Sequence, residues 1–183
     1  MQKRSLPLIL TVAAAIGLGI GITRLSSTRA ADAPASAIYA QLSSPDSQMP
    51  TAGPLLVKMT SNDALSGLEH SDKEKTDTIT VKTPGAYFMV AAVQVGKDSA
   101  GEPGDYMDVW IKQNGKDVDN SNCRQVIHDA KFTTVMVCQG IAECKAGDTF
   151  NVAIAGKGVG IKAIKPEGEP VVPSIIFSMY KIN

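Results

Sequence analysis

The sequence predicts an all-β chain, a two-sheet antiparallel sandwich preceded by an apolar amino-terminal helix. Three observations lead there. Past residue 37, short runs rich in Val, Ile, Thr, Phe and Tyr are divided by clusters of Gly, Pro, Asn and Asp, which is the pattern of many short strands joined by turns. The same stretch shows no sustained 3.6-residue periodicity and no internal repeat of roughly 20–50 residues. The one run without charge that is long enough to consider as a spanning helix, Leu6 to Thr23, stands at the start of the chain.

That first segment, residues 1–30, reads as an export signal. The basic pair Lys3-Arg4 precedes the apolar run, and Thr28-Arg29-Ala30 followed by Ala31 offers small residues for cleavage. The competing reading is an uncleaved membrane anchor, because 18 uncharged residues approach the roughly 20 that span a bilayer. Gly and Ala richness and Pro7 favour cleavage. Under either reading the remainder is exported, periplasmic, cell-surface or extracellular, and it meets a membrane only if the segment is retained. Residues 31–37, small and polar, form a linker, and 38–183 form the domain.

The formal balance of 18 basic and 18 acidic residues hides an uneven distribution. Lys3, Arg4, Arg24 and Arg29 lie in the first thirty residues, which leaves 14 basic against 18 acidic residues from position 31 onward, a net charge of −4 with Arg124 as the single arginine. Phosphate backbones are held by clustered Lys and Arg, so nucleic acid is excluded as a partner.

Strands are expected near 38–43, 54–60, 77–83, 86–96, 106–113, 121–128, 132–145, 148–156 and 174–182. Asn114-Gly115 ends the fifth, since this dipeptide accepts the positive φ values of a tight hairpin turn. Residues 97–105 and 157–173 read as long loops from their Gly and Pro content. The strands are of two kinds. In 77–83, Ile79 and Val81 alternate with Thr78, Thr80 and Lys82, and in 148–156 Phe150, Val152 and Ile154 share one face, so these strands have one wet side. In 86–95, by contrast, Tyr87, Met89, Ala91, Val93 and Val95 line one face while Phe88, Val90 and Ala92 line the other. The last strand sets Ile176 and Tyr180 against Ile175, Phe177 and Met179, and residues 132–141 set Phe132 and Met136 against Val135, Val137 and Ile141. A sandwich needs only one inner face per sheet, so a second apolar face needs a cover, and another copy of the chain is the economical one.

Four runs in order carry a resemblance: Pro84-Gly85-Ala86-Tyr87-Phe88, then Val109-Trp110-Ile111-Lys112-Gln113-Asn114-Gly115, then Ala146-Gly147-Asp148-Thr149-Phe150, then Ser174-Ile175-Ile176-Phe177-Ser178-Met179-Tyr180. With Ala37-Ile38-Tyr39-Ala40 as first strand, residues 37–183 resemble the globular head domain of complement component 1q, in the tumour necrosis factor-like jelly-roll superfamily. The resemblance implies an antiparallel jelly roll of ten strands that assembles as a homotrimer, with the sheet containing 86–95, 132–145 and 174–182 turned toward the three-fold axis. Tyr87, Phe88, Met89, Val90, Phe177, Met179 and Tyr180 are the trimer-interface candidates on those strands. The chain departs from the family in having no Gly-X-Y stem before the domain and in its residues 99–105.

Chemistry-bearing residues are few. Blue-copper ligation fails because the only histidines, His70 and His128, do not follow Cys138 or Cys144 at ligand spacing. Cys123 and His128 would project from opposite faces of a strand, which removes a zinc pair. His128 beside Asp129 has no nucleophile elbow to serve, so the domain is expected to be non-enzymatic and to have no cofactor. Calcium is the one metal considered: Asp117, Asp119, Asn120 and Asn122 supply hard oxygen ligands, and Asp98, Glu102, Asp105 and Asp108 form a second group. The alternative is that both are solvated loop carboxylates. Of the three cysteines, Cys138 and Cys144 cannot bridge along one strand. A local hairpin would bring Cys123 opposite Cys138 for a disulfide, whereas the resembled topology sets their strands in facing sheets. Gly156-Lys157-Gly158-Val159-Gly160 lacks the features of a phosphate loop and reads as a flexible loop.

The expected function is that of an exported binding or structural module, a homotrimer that presents the loops 97–105 and 157–173 to a protein or carbohydrate ligand. The alternative is a monomeric carbohydrate-binding or hydrolytic jelly roll.

Overall fold

The computed structural model describes residues 37–97, 104–127 and 133–183. The amino-terminal segment 1–30, linker residues 31–36, and the positions of Asp98, Glu102, His128, Asp129 and Phe132 lie outside the described residues. In chain order the strands are β1 (Tyr39–Ser44), β2 (Leu55–Leu56), β3 (Ser61–Ser66), β4 (Leu68–His70), β5 (Ile79–Val81), β6 (Gly85–Gly96), β7 (Tyr106–Gln113), β8 (Lys116–Asp117), β9 (Cys123–Val126), β10 (Thr133–Cys144), β11 (Thr149–Lys157), β12 (Gly160–Ile161) and β13 (Ile175–Lys181). One antiparallel sheet has the order β10-β6-β13-β1-β3, with β12 added to β6. The other has the order β4-β5-β11-β7-β8, with β2 on β11 and β9 on β7. The described residues contain no helix.

The three strands with two apolar faces are neighbours in one sheet. β10 pairs with β6 over its whole length, from Thr133 against Gly96 to Cys144 against Gly85, and β13 pairs with the other edge of β6 from Ile175 against Val93 to Lys181 against Tyr87. Because side chains alternate between faces, this register decides which set turns inward. Tyr87, Met89, Ala91, Val93 and Val95 of β6 are fully buried, as are Ile175, Phe177 and Met179 of β13 and Cys138 of β10. They meet Met107, Val109 and Ile111 of β7 and Phe150, Val152 and Ile154 of β11, all fully buried, from the facing sheet. The Tyr87 hydroxyl donates to the Thr83 carbonyl at 2.8 Å, so the core's one buried phenol is satisfied. Gly85, at φ 146°, has no room for a Cβ: the atom would stand 2.7 Å from the Asn183 carbonyl oxygen.

Three expectations are corrected. The strand expected at 54–60 is paired only at Leu55–Leu56; Val57 and Met59 are nevertheless fully buried, their amides donating to the Val152 and Thr76 carbonyls at 2.8 Å each. β3 and β4 were not expected, because Ser61-Asn62-Asp63 and Glu69-His70 lack the apolar alternation that marks a strand. β3 is an outermost strand beside β1, and polar side chains suit such an edge. The loop expected over 157–173 is tied down: β12 pairs Gly160 with Gly96 and Ile161 with Val95, Ile161 and Gln48 exchange backbone hydrogen bonds of 2.8 and 2.9 Å, and Ile164 and Val172 exchange two of 2.9 Å. Its glycines serve close approach rather than flexibility. Gly158, at φ 65°, would place a Cβ 2.4 Å from the Asp105 carboxylate. Asn114-Gly115 forms the expected tight turn, with φ of 52° and 75°.

Removing a fully buried ring tests the inner face. Phe177→Ala is expected to cost about 3–5 kcal/mol, read as a lower urea midpoint with little change in the slope of the transition.

Candidate interaction surface

The outward positions of β10, β6 and β13 form an uncharged face with two apolar rows separated by a more polar one. Register aligns them in rows: Ile141, Phe88, Tyr180 and Tyr39; then Gln139, Val90, Ser178 and Gln41; then Val137, Ala92, Ile176 and Ser43. Tyr39, Val135, Val137, Ile141, Ile176 and Tyr180 are exposed, from 41% for Ile176 to 63% for Ile141, while Phe88 and Val90 are half-buried. Phe88 and Tyr180 pack as a tilted pair with ring centroids 5.4 Å apart, a geometry that aromatic pairs prefer. The outward residues of β6 and β13 carry no charge, and on β10 the first charge is Glu143 near the strand's end.

The other sheet's exterior is of the opposite character. Arg124 donates to both oxygens of Asp108 at 2.7 and 2.6 Å and lies over the Tyr106 ring at 4.2 Å. Lys82 pairs with Glu69, and Lys112 with Asp117. The difference between the two outer faces is therefore one of chemistry: one is solvated by ion pairs, and the other offers water a hydrocarbon surface.

Of the seven interface candidates, Phe88, Val90 and Tyr180 lie on the apolar outer face. Tyr87, Met89, Phe177 and Met179 are corrected: they occupy the sandwich core, fully buried, because the β6–β10 and β6–β13 registers turn them inward. Val135, Val137, Ile141 and Ile176 take their place on the outer face. The signal for them was in the sequence, as the second apolar set on each strand.

The calcium candidates do not converge. The Asp117 carboxylate accepts from Trp110 Nε1 at 2.7 Å and from Lys112, so a protein cation already neutralises it. Asn120 sits at φ 61° in a turn, and Asp119 and Asn122 are exposed. Of the second group, Asp108 is held by Arg124, and buried Asp105 lies 3.6 Å from buried Lys97, whose ammonium donates to the Ile127 carbonyl at 2.7 Å. Among the described residues no group of three or more His, Cys, Asp or Glu is arranged to hold a metal ion. His70 is buried with its two ring nitrogens against Asn62 Oδ1 at 2.6 Å and the Thr76 carbonyl at 3.1 Å, a structural position. An open cleft of about 560 Å³ lies between the β7–β8 turn and the end of β10, lined by Gln113, Lys116, Asp119 and Glu143 among others and by no aromatic ring.

The cysteines are thiols. Cys138 is fully buried, and burial together with the nearby Cys123 pushes its pKa up to about 12; burial pushes Cys144 up to about 11. Cys123 and Cys138 do stand in facing sheets, as the resemblance implies. Even so, the Cys123 thiol donates to the Val137 carbonyl at 3.3 Å.

The described domain is thus a jelly-roll sandwich with one wet and one dry outer face. Crystal structures of murine APRIL at pH 8.0 and at pH 8.5 match it over 80% of this chain and 99% of theirs, each with a TM-score of 0.54, at 13% and 14% sequence identity. At that identity the likeness is one of fold, and the fold is the tumour necrosis factor-like jelly roll. No protein-family model and no curated protein matches the sequence.

Asp117 gives the charged sheet a pH signature. Its pKa is lowered by the hydrogen bond from Lys112 and then by that from Trp110. A carboxylate with a depressed folded value contributes stability that is present above the unfolded value and is lost as pH falls through the folded one. Trp110 is the only tryptophan, so acid titration of its fluorescence is expected to show a transition below the ordinary aspartate value of 3.8, and Asp117→Asn is expected to abolish it.

Proposed function

We propose that the chain is an exported, non-enzymatic binding module that assembles as a homotrimer, with the outer face of β10, β6 and β13 turned toward the three-fold axis. One observation carries the reading: a sheet whose two faces are both apolar, with the second uncovered in a single copy. The occupant is a second and third copy. A body with a net charge of −4 after residue 30 repels its own copies over most of its surface, and the uncharged face is where that repulsion is weakest. Three copies rather than two follow from the resemblance to the complement component 1q head. Loops at the ends of the assembled sandwiches, including 157–173, are the surfaces left to meet a protein partner.

Light scattering on the chain beginning at Ala31 is expected to give about three times the monomer mass. Val90→Lys and Ile141→Asp place a charge on the outer face, where a monomer tolerates it and an interface does not. Each is expected to reduce the mass to about a third while the far-ultraviolet circular dichroism stays that of a β-protein. A wild-type chain that is strictly monomeric at micromolar concentration would favour the monomeric carbohydrate-binding jelly roll instead.

A further inference from the structure

Two thiols from facing sheets are brought together at one edge of the sandwich. β9 is an edge of the seven-stranded sheet and β10 an edge of the six-stranded one. Cys123 is the Cα partner of fully buried Val109, so it shares that residue's inward face, and its side chain packs against the core. Cys138, the partner of Ala91, is fully buried on the inward face of β10. The Cys123 sulfur lies 3.3 Å from the Val137 oxygen, which belongs to the peptide unit leading into Cys138. Standard peptide dimensions then put that sulfur within roughly 6 Å of the Cys138 Cα. From there, rotation about the two side-chain bonds is the movement a disulfide requires. Cys144 lies six positions farther along β10, at the strand's far end, and its thiol bonds to the Ala142 carbonyl at 3.4 Å.

We propose that Cys123 and Cys138 are an oxidisable pair whose disulfide joins the two sheets, with Cys144 left as a thiol. The chemistry is exchange with a small-molecule disulfide. The partly exposed Cys123 thiolate attacks the reagent, forming a mixed disulfide and releasing one half as a thiolate. The Cys138 thiolate then attacks the Cys123 sulfur, forming the internal bond and displacing the second half. Two cysteine thiols lose two electrons and two protons, and the reagent disulfide is reduced to two thiols. Because the Cys138 thiol is held near 12, its thiolate is scarce at neutral pH, and closure is expected to accelerate about tenfold per pH unit. The proposal is independent of the trimer reading and of export, since the oxidant is supplied in the experiment.

The full chain carrying Cys144→Ser is incubated with oxidised glutathione at pH 8.5, alkylated after denaturation, and digested with trypsin. Expected is the peptide 117–124 joined to the peptide 132–145, within one chain, together with a rise in Tm of roughly 5–10 °C over the reduced protein. Cys123→Ser is expected to abolish both the link and the Tm difference. Should Cys144→Ser fail to fold, fragmentation of the linked wild-type peptide between positions 138 and 144 identifies the bonded cysteine. Alkylation of both Cys123 and Cys138 after the incubation, a link to Cys144, or a link only between chains would overturn the proposal.

Discussion

The antiparallel pairing of β6 with β10, unbroken from Gly85 and Cys144 to Gly96 and Thr133, is the constraint on which the rest of the molecule depends. It fixes a register, and in a sheet a register is a choice of face. With Met89 opposite Gly140 and Ala91 opposite Cys138, the inward set of β6 lies over a row that includes a glycine and a cysteine, leaving space for the large side chains from the facing sheet. With Phe88 opposite Ile141 and Ala92 opposite Val137, the outward set is largely hydrocarbon on both strands, interrupted by Gln139 and Gln94. A slip of one residue would exchange these sets. A slip of β10 would bring Gln139 into the core, and a slip of β6 would bring Gln94, where an unpartnered amide is costly.

The distribution of charge follows the same division. The seven-stranded sheet keeps a charged exterior, and its ion pairs are local: Arg124 reaches Asp108 across one strand pair, and Lys112 reaches Asp117 across a two-strand turn. Exposed pairs of this kind add little stability, but they keep that face soluble and unattractive to another sheet. The six-stranded sheet has no equivalent on its central strands. The two sheets of one sandwich thus differ in exterior chemistry, one charged and the other uncharged and largely apolar.

Much of this was legible in the sequence, and the part that was not has a physical reason. Two apolar faces on 86–95, 132–141 and 174–182 are visible as period-two patterning. Which of the two faces is the core is not visible, because Tyr87, Met89 and Phe177 are no more hydrophobic than Phe88, Val90 and Ile176. Only pairing with particular neighbours separates them, and pairing is a long-range property. Short strands held by backbone bonds, such as β3 and β12, leave no side-chain pattern to read. The glycine run 156–160 shows composition without geometry. Its composition suggests a loose loop, whereas Gly158 is required because the Asp105 carboxylate occupies the space of its Cβ.

The edge where β9 meets β10 shows how few side-chain contacts can close the margin of a sandwich. Along β6 and β11 the two layers are held by packed core side chains, and neither is an edge strand. At β9 the packing is thinner: Arg124, Gln125 and Val126 are exposed, and Cys123 is the residue of that strand that packs against the core. Within β9 itself the contact to the opposite sheet is the Cys123 thiol against the Val137 carbonyl, with buried Ile127 anchoring the strand's end, and weakly held edges are where sheets open first. A small, polarisable and oxidisable side chain at that point allows two states of the same edge. As a thiol it contributes only packing and a weak hydrogen bond; joined to its neighbour in the opposite sheet, it would remove the open state without altering the apolar face on the other side of β10.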